Sequence, residues 1–293
     1  MYLGVAAYKV GLVVSIKRLA DKATMRRVEH LLRATAVAEA RHFWFRGFRA
    51  FVTPLVRQAI VGRPDPLVLD CGCGTGANVD LLAAFGRAFG FDLAETGLQI
   101  GREAGRTRLA RASVTAVPFP SGAFDLVTSF DVLYALEDAT ERKAIAEMYR
   151  VLKPGGFAVV NVAAMQILRG DHSAFGGELR RYSRERLRTG IEAAGFEVVR
   201  LSYTNATLFV PLAVSRLWQR RRGVRKEPEA QFDILVPPAP INAIMTAALR
   251  LESLWLRWFD LPLGSSLLCL ARKPPDALPV GPEPRKNACE APV

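Results

Sequence analysis

Cysteine is scarce in this chain, with four among 293 residues, at positions 71, 73, 269 and 289. Their placement gives neither a CxxC pair nor a metal quartet. It gives no disulfide framework either, so a reducing cytoplasm is the natural setting. Long apolar runs are also missing. Residues 2–16 are largely apolar, but Lys9 interrupts them, the basic residues follow instead of preceding, and the stretch is too short to span a bilayer. That disfavours a signal peptide and leaves two readings: an amphipathic helix lying on a membrane, or an extension upstream of a translation start at Met25. Acid is in deficit, since 28 Asp and Glu face 40 Lys and Arg, for a formal charge of +12. Such an excess suits nucleic acid, an anionic membrane surface or an anionic small substrate. Much of it is local: Arg216, Arg220, Arg221, Arg222, Arg225 and Lys226 fall in one stretch with no acid among them. A localised patch argues for a contact surface.

What is present reads as globular. Half the chain is hydrophobic and 23% is charged, ordinary for a folded domain. Residues 25–60 have helical spacing, with Val28, Leu31 and Leu32 on one face and an aromatic knot at His42-Phe43-Trp44-Phe45. Pro64 and Pro66 end that pattern. Short β-like runs at 67–70, 88–92, 112–115, 124–129 and 157–163 then alternate with helical stretches near 77–85, 95–104 and 140–152. This alternation predicts a doubly wound α/β domain with a mostly parallel sheet. The third helix stops at Lys153-Pro154-Gly155-Gly156. Another, over 184–194, opens at Ser183 as its N-cap and leads into a strand at 196–203. A long helix is predicted over 241–258. On it Asn242, Thr246, Arg250, Ser253 and Arg257 make a thin polar stripe on an otherwise apolar surface, so it is buried on most sides or faces lipid or a partner. A last strand is expected at 267–271.

The densest signal is Val68-Leu69-Asp70-Cys71-Gly72-Cys73-Gly74-Thr75-Gly76, a hydrophobic strand running into a glycine turn and a helix. Glycine lets a ligand approach the backbone. Taken alone the turn is ambiguous, because Gly72, Gly74 and Ala77 also satisfy the pattern of dinucleotide binders. Asp70 tilts the choice. A carboxylate beside the turn repels a pyrophosphate but suits a ligand carrying an ammonium and a sulfonium. Asp92 closes the next strand, where a carboxylate can accept both hydroxyls of a ribose; either cofactor class wants it there.

The words that follow are Val117-Pro118-Phe119-Pro120, then Ser121-Gly122-Ala123-Phe124-Asp125-Leu126-Val127, then Arg150-Val151-Leu152-Lys153-Pro154-Gly155-Gly156. In that order and spacing the chain resembles class I S-adenosylmethionine-dependent methyltransferases, in the group that includes ubiquinone and menaquinone biosynthesis methyltransferases. The resemblance covers residues 65–203. A looser one extends it: His42-Phe43-Trp44-Phe45-Arg46, His172, Arg180-Arg181-Tyr182, Asn242 and Pro262-Leu263-Gly264-Ser265-Ser266-Leu267 are similar to a bacterial subfamily with HWWY-like and HxRRY-like words. The chain departs from that pattern with Ser173 for an Asp, Glu178 for a second His, and Tyr134-Ala135 for a Glu-His pair. Those departures fall on the acceptor side and leave the cofactor side alone.

The resemblance implies a seven-stranded sheet whose last strand is antiparallel and inserted beside the fifth. It divides the chain into an N-terminal helical segment or lid (1–60), a core binding S-adenosylmethionine (61–203), a basic and apolar helical insertion (204–264), the final strand (265–273) and a disordered tail (274–293). It places Asp70 near the cofactor's amino group and lets Gly72, Gly74 and Gly76 bring the backbone close. Asp92 would hold the ribose, Leu93, Ser113 and Val114 would lie by the adenine, and Phe130 would flank the cofactor. His172 and Tyr182 are the candidates for a catalytic base, with Tyr134 a third. Trp44, Arg180 and Arg181 are candidates for holding the acceptor, although Trp44 also reads as core and the arginines as solvated charges. No metal is implied. The expected acceptor is a small or lipid-linked molecule, methylated at oxygen or carbon, with a peripheral membrane contact through residues 216–258 on the inner face. An RNA or protein methyltransferase, and a non-catalytic cofactor-binding scaffold, are the alternatives.

Overall fold

A computed structural model describes residues 32–33, 35–169, 178–211, 213–214, 218 and 236–276. The basic run from Arg216 to Lys226, His172, Val28, Leu31 and the expected tail from residue 277 on lie outside the described residues.

Helix α1 (Phe43–Ile60) is followed by β1 (Leu67–Cys71), α2 (Ala77–Ala83), β2 (Arg87–Asp92), α3 (Glu95–Glu103) and β3 (Leu109–Arg111). There follow β4 (Phe124–Phe130), α4 (Asp138–Val151), β5 (Leu152–Ala163), α5 (Arg184–Ala193), β6 (Glu197–Thr204), α6 (Ala239–Trp255) and β7 (Ser266–Arg272). Among the described residues these strands form one seven-stranded sheet in the order β3-β2-β1-β4-β5-β7-β6. The first five are mutually parallel. Strand β7 runs antiparallel to both neighbours, wedged between β5 and β6. The order reverses between β1 and β4, where the chain crosses from one half of the sheet to the other, the kind of switch point at whose carboxyl edge open α/β sheets hold ligands.

Helices cover both faces, so the central strands are buried on both sides and read as near-continuous apolar runs. Every residue of β4 is buried. Side-chain alternation sorts the core into two layers. Leu69, Val127, Val160 and Cys269 point toward α4 and α5, with Ile145, Met148 and Ile191 opposite them. Val68, Leu126, Val159 and Leu268 point the other way, toward α1, α2 and α6. On that second face α1 packs through Phe43, Trp44, Phe48, Phe51 and Leu55. Gly47 lets α6 come close, because a β-carbon there would overlap the side chain of Leu249.

Three local expectations change. The third strand is Leu109–Arg111 and not 112–115. Its pairing with β2 runs out where Arg111 meets Asp92, and Ser113 then turns the chain, its hydroxyl accepting from the Thr115 amide at 3.2 Å while its carbonyl accepts from Ala116 at 3.0 Å. The 153–156 stretch does end α4, yet it already belongs to β5: Gly155 donates to the Lys273 carbonyl at 2.9 Å and Lys273 donates back to Gly156 at 2.8 Å. The long helix spans Ala239–Trp255, and its polar stripe divides, with Arg250 and Arg257 exposed and the rest turned inward. Asn242, Thr246, Glu252 and Ser253 are buried, together with Leu249.

Candidate active site

At the head of β1 the chain makes three left-handed turns in five residues, with φ of 79° at Gly72, 58° at Gly74 and 81° at Gly76. Other residues adopt such angles only under strain. The bend is tied to β2, because the amides of Gly72 and Cys73 both donate to the Phe91 carbonyl at 2.9 Å. At Gly72 a β-carbon would lie 2.5 Å from Val132, so the segment after β4 presses directly on the turn. Among the described residues, at Gly74 it would meet only Leu32, at 3.9 Å. That opening beside the backbone is the cradle a ligand needs.

Two carboxylates flank it. Asp70 and Asp92 lie on adjacent parallel strands, and register pairs Asp70 with Gly90, two residues before Asp92. Side chains two apart share a face, so both acids point to the same side of the sheet. Both are buried. Asp70 Oδ1 accepts from the Thr128 hydroxyl at 2.7 Å. Asp92 Oδ2 accepts from the Gly74 amide at 2.8 Å and Oδ1 from the Ala94 amide at 2.8 Å. These bonds stabilise the charged form, but burial outweighs them, and Asp70 adds a like charge. The Asp92 carboxyl is therefore held above its ordinary value. A cationic ligand relieves that strain, whereas a pyrophosphate would deepen it. A carboxylate has acceptor capacity beyond two amide bonds, enough for Asp92 to take a hydroxyl as well. Asn78, in the first turn of α2, adds a buried amide nitrogen with no hydrogen-bond partner among the described residues. The donor set fits an S-adenosylmethionine-like cation with a ribose.

The remaining positions expected on the cofactor side lie at or just after the ends of β2, β3 and β4. Leu93 is half-buried directly after Asp92, and Val114 is buried in the turn after β3. Ser113 shares a 2.9 Å hydrogen bond with the Thr115 hydroxyl. Phe130 sits at the end of β4, where its ring packs edge-to-face on Phe48 of α1 at 5.0 Å.

The acceptor side differs from expectation. Tyr182 is buried, and its hydroxyl donates to Glu141 Oε1 at 2.7 Å. Burial first, then the Glu141 charge, drive its pKa up, and its proton is already donated to Glu141 in that hydrogen bond. Arg180 pairs with Asp138 at 2.9 Å and with Glu141. Arg181 is buried against Glu178 at 2.7 Å and donates to the Ala164 carbonyl at 3.2 Å. Both guanidinium groups are thus occupied by acids of the same chain. Trp44 is core, 2% exposed within the α1 layer. Tyr134 is buried too, and its pKa is raised well above the usual range by that burial.

Other buried polar residues stand near the strands' carboxyl ends. Asp131 follows β4 directly at a φ of 59°, unusual for a side-chain-bearing residue, and is buried. Its Oδ1 accepts from the Asn161 amide at 2.8 Å, and its backbone amide donates to the Asn161 carbonyl at 2.8 Å. Strain held in place at the carboxyl end of a central strand is a mark of functional positions. Asn161 itself is a signal in the sequence, a lone amide in the apolar run Val159-Val160-Asn161-Val162. Glu39 is the third missed residue. It is buried just before α1, and the Thr75 hydroxyl in the glycine turn donates to its carboxylate at 2.8 Å. Among the described residues no cluster of metal-ligating side chains occurs.

Residues 69–160 match the family described as Methyltransferase domain. The ubiquinone/menaquinone biosynthesis C-methyltransferase UbiE of Shewanella halifaxensis is 37% identical over 113 residues, taking in 33% of this chain and 43% of that protein. The Escherichia fergusonii enzyme of the same name is 39% identical over 108 residues, or 32% of this chain and 41% of that protein. The matched region is therefore less than half the length of these relatives. In shape, the chain is similar to a protein from the complex of the Haloferax volcanii Trm112 methyltransferase activator, with a TM-score of 0.52 at 18% identity, covering 88% of this chain and 96% of that one. A SAM-dependent methyltransferase from Thermotoga maritima gives a TM-score of 0.50 at 16% identity, covering 84% of this chain and 99% of that one.

Proposed function

We propose that this chain, whose residues 69–160 match the Methyltransferase domain family, is a class I S-adenosylmethionine-dependent methyltransferase that methylates a small or lipid-linked acceptor at carbon or oxygen. The observation that supports this most strongly is the pair of buried acids on one face of the sheet, Asp70 and Asp92, with the open cradle at Gly74 between them. In this reading Asp70 lies by the cofactor's amino group and Asp92 holds the ribose hydroxyls. The backbone at Gly72, Gly74 and Gly76 lies against the methionine and ribose portions. Leu93, Ser113 and Val114 border the adenine, and Phe130 backs the cavity.

When bound, S-adenosylmethionine supplies a methyl group already activated by its sulfonium. The protein's part is to align the acceptor in line with it and keep water away. An acceptor carbon or hydroxyl must also lose a proton, which calls for a base. Asp131 stands at the carboxyl end of β4, one residue before Val132, which touches the glycine turn. With its carboxylate oriented by Asn161 it is the group we assign to that proton. His172 remains the second candidate. The relatives' names, C-methyltransferases of ubiquinone and menaquinone biosynthesis, favour carbon as the atom methylated. The proposed setting is the cytoplasm.

The test is methyl transfer from labelled cofactor into a fractionated lysate, with the labelled product identified. Label in the small-molecule or lipid fraction, lost in Asp92→Ala, supports the proposal. Label in RNA or protein would replace the acceptor class. Cofactor binding with no label in any fraction would make the chain a non-catalytic binder.

A further inference from the structure

Helix α6 is inside out for a helix in water. A water-facing helix buries its apolar stripe and shows its polar one, but here four polar residues, Asn242, Thr246, Glu252 and Ser253, are buried and each has a partner. Asn242 accepts from the Phe43 amide at 2.8 Å and donates to the Arg41 carbonyl at 2.9 Å. Thr246 donates to the Asn242 carbonyl at 2.7 Å, and Ser253 to that of Arg250 at 2.7 Å. Glu252 accepts from the amides of Ala206 at 3.0 Å and Thr207 at 2.9 Å. The outward face carries Ile244, Leu251 and Trp255 at three- to four-residue spacings through Ala247 and Leu254, and continues past the helix end into Trp258 and Phe259. Ile244 is 69% exposed, Leu251 67% and Trp258 71%. So large an apolar strip on a protein surface marks a contact site.

Charge decides which contact. Between residues 239 and 263 the cations Arg250 and Arg257 are exposed on the same stretch. The two acids there are turned away or engaged: Glu252 faces inward, and Asp260 is held by Arg200 at 2.7 Å. A second copy laid on this strip would bring arginines against arginines with no carboxylate to meet them. Anionic lipid headgroups supply the missing charge, while Trp255, Trp258 and Phe259 are the aromatic side chains that settle at a bilayer's interface. Among the described residues no helix is long and apolar enough to cross a membrane, so the contact lies in the plane of the surface. We infer that the outward face of α6, from Ile244 through Phe259, docks on an anionic lipid bilayer.

The test is flotation of the full chain with vesicles of phosphatidylcholine alone or mixed with phosphatidylglycerol. The wild-type protein is expected to float with the mixed vesicles, less so as salt is raised, with its tryptophan emission shifted to the blue. A Trp255→Glu/Trp258→Glu double variant should lose at least about tenfold in bound fraction. Arg250→Gln or Arg257→Gln should each cost about fivefold, on the anionic vesicles alone. Wild-type protein that never floats, or variants that float as well as it does, would overturn the inference. So would light scattering that shows a dimer broken by the double variant, since a second copy would then own the strip. Cofactor titration of the same variants serves as the check on folding. Because flotation needs no cofactor, failure of methyl transfer and failure of membrane docking are read separately.

Discussion

The two halves of the sheet's carboxyl edge are held together by different means. Around β1 and β2 the site is built from backbone: Gly74 and Ala94 amides grip Asp92, Phe91 anchors the turn, and glycines set the path. Around β4 and β5 it is built from side chains gripping one another: Tyr182, Arg180 and Arg186 converge on Glu141, Arg181 closes on Glu178, and Asn161 holds Asp131. A backbone-built site is a fixed receptacle for one ligand. A network of side chains can be rebuilt by a few substitutions, and on the proposed function it is where acceptor choice is free to change.

The sharpest way to break this contrast is to push on the backbone of the first half. Gly101 of α3 lies against the turn so closely that a β-carbon there would overlap the Thr75 carbonyl. Gly101→Val should cost on the order of 3 kcal/mol in a denaturant melt and abolish cofactor binding with it. If binding survives, the turn is not the rigid receptacle described. The flank of that half can be probed through pH. His42 is fully buried as the N-cap of α1, its Nδ1 accepting from the Trp44 amide at 3.1 Å, and burial lowers its pKa from 6.5 to about 4. As pH falls the unfolded chain takes up this proton first, so the contribution is complete above pH 6.5 and is lost progressively toward pH 4. The loss amounts to about 3 kcal/mol, and His42→Asn, which keeps a cap, should flatten that acid limb of the melting curve.

On the second half the effects should fall on turnover. Asp131→Asn is expected to lower kcat about a hundredfold while leaving cofactor affinity within a factor of about two, a split that a merely structural role would not produce. Tyr182→Phe should do the reverse, costing about 1 kcal/mol of stability with kcat unchanged. A large loss of kcat there would return Tyr182 to the chemistry.

The difference between the halves also explains what could be read in advance. Asp70, Gly72, Gly74 and Asp92 are visible in a bare sequence because their roles depend on local bends and on spacing along the chain. The alternation of strands and helices, and with it the sheet, is visible for the same reason. The pairing of Tyr182 with Glu141 is not, since it joins residues that only the closed sheet brings together; Arg180 and Arg181 therefore read as open cations when they are bound ones. Trp44 carries the same lesson, because an aromatic at a site's edge and one in the adjoining core have the same neighbours in sequence. For α6 the spacing of the polar stripe was legible, but its direction depended on what α1 and the 206–207 segment offered as partners. Glu39 left only a faint trace, a single acid in an alanine-rich stretch ahead of the aromatic knot.

The glycine bend flanked by Asp70 and Asp92 is expected to receive a positively charged nucleoside. Calorimetric titration of S-adenosylmethionine into the wild-type chain, Asp92→Ala and Gly74→Val tests it most directly. Tight binding by the first, and none by the other two although both still fold, is the predicted result. Equal affinity in all three would contradict it.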